Sequence, residues 1–283
     1  MTDGLTALRV ATWNIRATIG PEKPFPDRWW RLISANRLRA MGELLAGLDL
    51  DLVALQEVAL ASRDGELLDN AGDLGRQLGM DVRFGATRTF SMTDAAGEMR
   101  GAGCFGNAIL SRLPIRSSTA VQLPMAPSDA YVEPPDSGRE AAGVRYRDAP
   151  AGVREPRTLL IARVAEVTVA STHFSHNGAA ERALQATATV AAMGVSGPAL
   201  LLADLNATIE AHELAGFGDW VDGLSAAGVP PGDSRRISTD DGFRIDHVLG
   251  REVSVQNCRV LRESGDLSDH YPIVAEIRVG SGR

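Results

Sequence analysis

The chain has 283 residues, 44% of them hydrophobic and 23% charged, with a formal net charge of -7. That apolar share supplies a large buried core, and the acidic balance argues against a protein that coats nucleic acid through a broad basic surface. Local phosphate binding stays open, because carboxylates gathered around divalent cations contribute negative charge that bound metal reverses.

Residues 8–15 set Leu8, Val10 and Thr12 against Arg9, Ala11 and Trp13, an alternation that predicts a strand and delivers Asn14 near its end. Residues 36–48 place Leu38, Met41, Leu45 and Leu48 at helical spacing. The apolar run 52–55 is closed by Gln56-Glu57, which leaves Glu57 at an expected strand end. The pattern weakens over 59–90, where one short helix is expected around 71–78. Another strand opens at 108–110, introduced by Gly106-Asn107 and closed by Ser111-Arg112-Leu113-Pro114. Residues 124–157 hold six of the fourteen prolines and little periodicity, and read as a long surface excursion suited to shaping specificity.

Residues 158–164 and 167–172 read as paired strands across the turn Ala165-Glu166, the second running into His173. A helix is expected over 179–193, and Ser196-Gly197-Pro198 then turns the chain into Leu-Leu-Leu-Ala-Asp-Leu-Asn at 200–206. In an extended chain alternate side chains share a face, so Asp204 and Asn206 are expected to point to a common place. Residues 243–249 hold Asp246, and the strand pattern over 271–279 is preceded by Ser268-Asp269-His270. With no linker of changed composition and no internal repeat, residues 1–283 read as a single domain.

Each of these polar groups has an ordinary explanation in isolation. An Asp-x-Asn opens a turn, Glu57 suits a solvated strand end, His173 a half-buried histidine, and Asp269-His270 a turn pair before Pro272. Collected, Asn14, Glu57, His173, Asp204, Asn206, Asp246, Asp269 and His270 form a hard, oxygen-rich set without thiolates, which suits Mg2+ or Mn2+ better than zinc. Such a metal polarises a phosphoryl oxygen and acidifies an attacking water, so the chemistry predicted is hydrolysis of a phosphate ester. Cys104 and Cys258 have no paired spacing and read as reduced core residues. No apolar run approaches the ~20 residues of a membrane-spanning helix. Residues 1–9 lack a basic segment followed by an apolar core, so a cytoplasmic protein with no transmembrane segment is expected.

The ordered motifs Thr12-Trp13-Asn14, Gln56-Glu57, 106–112, Thr172-His173, Asp204-Leu205-Asn206, Ile245-Asp246-His247 and Ser268-Asp269-His270 resemble those of the endonuclease/exonuclease/phosphatase superfamily, the deoxyribonuclease I-like fold. The likeness spans 10–277 and departs from the common pattern at Ala203, where many members carry Gly. It implies an α/β fold, a four-layered sandwich of two packed mixed β-sheets flanked by helices. It further implies that Glu57 is the principal metal ligand, with Asn14 beside it. Asp204 would orient or deprotonate the attacking water, and Asn206 would hold the nucleophile or phosphate. His270 would contact the scissile phosphate or act as general acid or base with its ring fixed by Asp246. Asp269 would serve a metal or the surroundings of His270, His173 would stabilise phosphoryl charge, and Asn107 is a further candidate phosphate contact. Arg157 fits a phosphate contact or a salt-bridging arginine equally well.

The implied substrate is a phosphate ester, with nucleic acid phosphodiesters first, since nucleases are a large part of the superfamily. A lipid-headgroup (sphingomyelinase-like) phosphodiesterase or an inositol or sugar phosphatase comes second. A non-catalytic scaffold would have lost ligands, and all eight positions are retained. The protein is expected to act as a monomer. Three features stand apart from the site. Gly101-x-Gly103-x-x-Gly106 matches a dinucleotide fingerprint but leads into a strand rather than a helix. His176 and His247 read as bystanders, with His176 nearer a substrate-rim role, and Trp29-Trp30 reads as a packed loop anchor.

Overall fold

A computed structural model describes residues 7–23, 28–127, 155–176, 178–194 and 196–280. In chain order these form β1 (Leu8–Asn14), α1 (Ala35–Ala46), β2 (Leu52–Arg63), β3 (Glu66–Asp69), α2 (Asn70–Leu78), β4 (Asp81–Thr93), β5 (Met99–Ser111) and β6 (Ile115–Gln122). Then follow β7 (Thr158–Val164), β8 (Val167–His173), α3 (Ala179–Ala192), β9 (Ala199–Asp204), β10 (Val221–Asp222), α4 (Gly223–Ala226), β11 (Asp246–Arg251), β12 (Val253–Val260) and β13 (Ile273–Val279). A seven-stranded sheet runs β12-β13-β1-β2-β5-β4 with β3 beside β2, and a six-stranded sheet runs β10-β11-β9-β8-β7-β6. Both are mixed: β1–β2 and β8–β9 are parallel pairs among antiparallel neighbours.

Strand alternation sorts the apolar side chains into layers. Val10, Leu52, Ala54 and Ile109 of the first sheet meet Leu160, Val169, Leu200, Leu202 and Val248 of the second in one inter-sheet core. The opposite face of the first sheet, with Ala11, Trp13, Val53 and Leu55, is covered by Leu38, Met41 and Leu45 of α1 and Leu74 of α2. The outer face of the second sheet packs Ala170, Leu201 and Ala203 against Ala186 of α3 and against Phe217 and Trp220. Helices, sheet, sheet and helix make the four-layered α/β sandwich. Ser34 caps α1 by accepting from the Arg37 N–H, and Asp69 caps α2 by accepting from Gly72. Among the described residues no helix is long and apolar enough to cross a membrane.

The expected helices and most expected strands stand where the periodicity puts them, but the first sheet is larger than the sequence suggests. β2 continues to Arg63, and β4 and the first nine residues of β5 fall where the apolar pattern is weak. The reason is the glycines of 101–106, which interrupt the apolar pattern and serve close approach. A Cβ at Gly106 would sit 2.2 Å from the Gly85 carbonyl oxygen and 2.7 Å from Phe84, and one at Gly103 2.4 Å from the Ala61 Cβ. These glycines let β5 run between β2 and β4, and no helix follows them. Most of the 124–157 excursion lies outside the described residues. Both cysteines are free thiols. Trp30 is buried against Ala61 and Met92, an anchor for the turn at Trp29–Leu32.

Gly106→Ala is expected to lower unfolding free energy by about 1–3 kcal/mol, because the methyl meets backbone rather than a movable side chain. Urea unfolding followed by circular dichroism measures it.

Candidate active site

The two parallel pairs are each closed by a helical crossover, β1–α1–β2 and β8–α3–β9, and their carboxyl ends lie at one end of the sandwich. Such ends are where open α/β sheets leave room for ligands. On β1 the inter-sheet face carries Val10, Thr12 and then Asn14, and on β9 Leu200, Leu202 and then Asp204. Ser171 and His173 follow Val169 on β8, and Asp246, paired in register with Asp204, opens β11. The apolar core thus gives way to polar groups at its rim.

Beneath them lies a buried polar floor. Gln56 Nε2 donates to the Ser171 hydroxyl and to the Leu202 carbonyl, each at 3.1 Å, and the Ser171 hydroxyl donates to the Leu55 carbonyl at 3.3 Å. These bonds run from one sheet to the other. Above the floor, Asn14 Nδ2 donates to Glu57 Oε1 at 3.0 Å and to Asp204 Oδ2 at 3.1 Å. His173 stands 3.7 Å from Glu57 through Nδ1 and 3.4 Å from Asp204 through Nε2. His270 pairs Nδ1 with Asp246 Oδ2 at 2.8 Å and holds Nε2 3.9 Å from Asp204 Oδ2. The Ser238 hydroxyl donates to the same Asp246 oxygen at 2.7 Å. Trp13 Nε1 donates to the His270 carbonyl at 2.9 Å and the Ser268 hydroxyl to the Asn14 carbonyl at 2.8 Å, which fastens the 268–270 loop to β1.

Two positions depart from the sequence expectation. Glu57 is not at a strand end: it sits in a bulge inside the twelve-residue β2, with φ +52°, where the register to β5 shifts between Leu55 and Val58. Regular alternation would send Glu57 toward α1 with Leu55, and the bulge turns it back beside Asn14. Asn206 lies beyond the end of β9 with φ +52°, so alternation does not carry it beside Asp204. Its amide donates to the Phe174 carbonyl at 2.8 Å while its N–H donates to Asp204 Oδ1 at 3.0 Å.

The remaining candidates are placed around this centre. Asp269 meets Arg16 Nε at 3.3 Å. Asn107 donates to the Thr158 carbonyl at 2.7 Å, tying β5 to β7. Arg157 is buried and contacts Glu155 at 3.2 Å and His176 Nδ1 at 3.1 Å through Nη2. His247 is buried on the far face of β11 against the Ala207 carbonyl at 2.8 Å. Sequence reasoning missed Gln56 and Ser171 as the floor, Ser238 as a partner of Asp246, and the turn after Asn14. There Arg16, Ala17 and Thr18 are consecutively left-handed, with φ of 45°, 46° and 63°, and cost roughly 1 kcal/mol each. The Arg16 N–H bonds back to Asn14 Oδ1 at 3.0 Å.

Electrostatics mark the same centre as short of positive charge. Burial, and then the Asp246 carboxylate, push Asp204 up to about 7, against the pull of His270, Asn14 and the Asn206 N–H. Desolvation, and then the charge of Asp269, raise Glu57. Burial alone would lower His270, but Asp246, with Asp204 and Asp269 behind it, outweighs this and holds the imidazole well above 6.5. Asp246 Oδ1 is buried without a hydrogen-bond donor. Ligand atoms of Asp204, Asp246 and His270 lie within 4.8 Å of one another, a spacing that could hold a metal ion. Crowded carboxylates, an orphan acceptor and no thiolate fit a hard divalent cation.

Two mixed sheets flanked by helices, with an acid, amide and imidazole cluster at their carboxyl ends, make up the deoxyribonuclease I-like fold, a class whose members are phosphoester hydrolases. The chain belongs to the Endonuclease/Exonuclease/phosphatase family, whose sequence profile matches residues 11–270. No curated protein matches it by sequence. Among solved structures it is similar to an endonuclease/exonuclease/phosphatase from Beutenbergia cavernae DSM 12333, with TM-score 0.70 and 20% identity over 97% of this chain and 72% of that one. It is also similar to a mannosyl-6-phosphatase of Bacteroides thetaiotaomicron VPI-5482, with TM-score 0.63 and 18% identity over 95% and 99% of the two chains. The catalytic domain of human nocturnin with bound sulfate matches at TM-score 0.63 and 16% identity, over 99% and 96%. At these identities the likeness is one of fold.

A carboxyl raised in the folded state favours folding below its unfolded value and loses that contribution as pH rises through the folded value. For Asp204 the window runs from 3.8 to about 7. Asp204→Asn removes the repelling charge and is expected to stabilise metal-free protein at pH 8 by about 1 kcal/mol or more, with the gain vanishing below about pH 4. Urea midpoints across pH, in chelator, read this.

Proposed function

We propose that the protein is a hydrolase of phosphate esters that works with a divalent cation, Mg2+ or Mn2+. The observation that carries this reading is the convergence of Asn14, Glu57, His173, Asp204 and the Asp246–His270 pair over one polar floor. A cation held by Glu57, with Asn14 and Asp269 beside it, would supply charge neutralisation at the phosphoryl oxygens and acidity to a bound water.

The protein's own groups supply the rest. Asp204, pushed up to about 7, has the basicity to take a proton from water near neutral pH. The Asn206 N–H occupies Asp204 Oδ1 and leaves Oδ2 toward the site, so Asn206 acts on the nucleophile through Asp204. His173, near both Glu57 and Asp204, stabilises charge on the phosphoryl oxygens. Asp246 accepts from His270 Nδ1 and so directs Nε2 toward the scissile group, where an imidazolium donates to an oxygen in the transition state. Asn107 fixes the wall between the sheets, and Arg157 reaches a phosphate by exchanging its contact with Glu155.

On substrate, the cations around the mouth favour a compact phosphoester. Arg16 meets Asp269, Arg157 meets Glu155, Arg88 meets Glu155 at 2.5 Å, and Lys23 meets Asp240 at 2.6 Å and Asp241 at 3.0 Å. Each stands beside a carboxylate rather than along a track for a phosphate backbone. One observation supports the nucleic acid reading instead. Trp29, Phe90 and Phe105 cluster next to Ala59, two residues past Glu57, with the Arg88 guanidinium 5.2 Å over the Phe105 ring, and aromatic groups of this kind can stack a base.

Purified protein is to be assayed with Mg2+ or Mn2+, and with chelator, on DNA, RNA, sphingomyelin, inositol phosphates, hexose 6-phosphates and a bis-aryl phosphodiester. Chelator-sensitive turnover is expected, with Glu57→Ala and His270→Ala each losing about 100-fold or more in kcat/KM. Activity undiminished by both substitutions would overturn the assignment.

A further inference from the structure

A second charged cluster lies beside the Asp246–His270 pair and takes no part in the chemistry above. Arg236 and Arg244 are 2% and 7% exposed. They lie two residues before Ser238 and Asp246 respectively, so their backbones are tied to the site wall by the Ser238–Asp246 bond of 2.7 Å. Both guanidinium groups use Nη2 on one carboxylate, Asp222: Arg236 bonds Oδ2 at 2.7 Å and Arg244 bonds Oδ1. Asp222 also accepts from the Ser225 N–H at 2.9 Å and the Ser225 hydroxyl at 2.7 Å, and His247 Nδ1 stands 3.8 Å away. Asp222 is saturated by these groups.

The other nitrogens of the two arginines are not provided for. Nε and Nη1 of Arg236 and Nε and Nη1 of Arg244 are buried and have no hydrogen-bond acceptor. Buried guanidinium donors without acceptors are rare because they forfeit their hydration for nothing. Burial, only partly offset by Asp222, lowers the Arg244 guanidinium from its ordinary value. What faces the two Nη1 atoms is Glu210, whose carboxylate lies 3.3 Å from Arg236 Nη1 and 3.6 Å from Arg244 Nη1. The Glu210 side chain is 48% exposed, and it stands in the loop that leaves β9 after Asp204 and Asn206. It covers the two cations as a loose ion pair without a hydrogen bond to either.

We propose that Arg236 and Arg244 form an oxyanion-binding site, separate from the catalytic carboxylates, in which a phosphate-type group displaces the Glu210 carboxylate. The two Nη1 groups face one place, each with two N–H donors, and a tetrahedral oxyanion with three or more acceptor oxygens can take more of them than the planar, two-oxygen group that covers them. Charge agrees with this: Asp222 neutralises one of the two arginines, and with Glu210 turned outward the pocket keeps one positive charge for its ligand. The phosphate could be carried by the substrate itself, a reading that rests on the phosphoesterase assignment, or could be free phosphate.

Calorimetric titration of inorganic phosphate in chelator reads binding without turnover, so its outcome stands apart from that of the hydrolase assignment. Glu210→Gln, a change at a half-exposed residue, is expected to bind one phosphate about fivefold or more tighter than the wild type. Arg244→Lys in the Glu210→Gln background is expected to lose that gain, with circular dichroism confirming the fold. Phosphate binding equal in wild type and Glu210→Gln overturns the proposal, whatever the arginine variant does. KM values for a hydrolysed ester with and without a second phosphate then separate the sources. A Glu210→Gln decrease in KM confined to the doubly phosphorylated ester assigns the site to substrate, and tighter phosphate binding in Glu210→Gln with KM for both esters unchanged assigns it to free phosphate.

Discussion

The amide of Gln56 is the constraint on which the site depends. It is fully buried, and it spends its nitrogen on the Leu202 carbonyl and the Ser171 hydroxyl of the opposing sheet while Ser171 returns a bond to Leu55. In a low-dielectric interior such a network is favourable only when every member is satisfied, so it selects one registration of the two sheets over others that an apolar interface would tolerate. That registration sets Asn14 within reach of both Glu57 on its own sheet and Asp204 on the other. The bulge at Glu57 then follows from the same pair of residues. Gln56 must face the seam and Glu57 the mouth, and only a break in alternation lets consecutive residues do both.

What the sequence made legible was whatever obeys a short period. Asn14, His173 and Asp204 continue the inner-face alternation of strands whose preceding residues are core, so their place at the rim could be read directly. Each parallel pair has a helical pattern between its strands, the connection such a pair requires, although the pairing itself was not read from the sequence. Glu57 was found for its chemistry but misplaced in the fold, because a left-handed Glu carries no residue-type signal comparable to glycine. Asn206 was misjudged for a similar reason: alternation was extended one step past the end of β9. Strands β4 and β5 escaped because their glycines serve close packing, and composition alone cannot tell a breaker from a spacer. The arginine cluster around Asp222 was invisible because its members are separated by loops and meet only through tertiary structure.

Strain and satisfaction are distributed unevenly over this architecture. Three successive non-glycine residues in the left-handed region follow Asn14, and they are buried. They are held by the Arg16 contacts with the Gly20 carbonyl at 2.7 Å, with Asn14 and with Asp269. The turn brings a guanidinium beneath the 268–270 loop, where Asp269 is the neighbour that raises Glu57. Backbone cost at one point and carboxylate crowding at another thus belong to the same few ångströms, consistent with a centre shaped for ligands rather than for maximal stability.

The order of strands in the first sheet also governs when the centre can exist. β13 lies between β12 and β1, so the sheet that carries Asn14 and Glu57 is completed by the last strand among the described residues. His270 enters with that element, and its carbonyl is grasped by Trp13 of the opening strand. On the ribosome, therefore, β1 and β2 emerge with one flank unpaired, and Asn14 and Glu57 wait through the synthesis of the entire second sheet for the rest of the cluster. Contacts this distant along the chain make folding slow, and they leave the cluster incomplete until residue 270 has been made. A chain released before residue 270 would carry Glu57, Asp204 and Asp246 and lack the imidazole that pairs with Asp246.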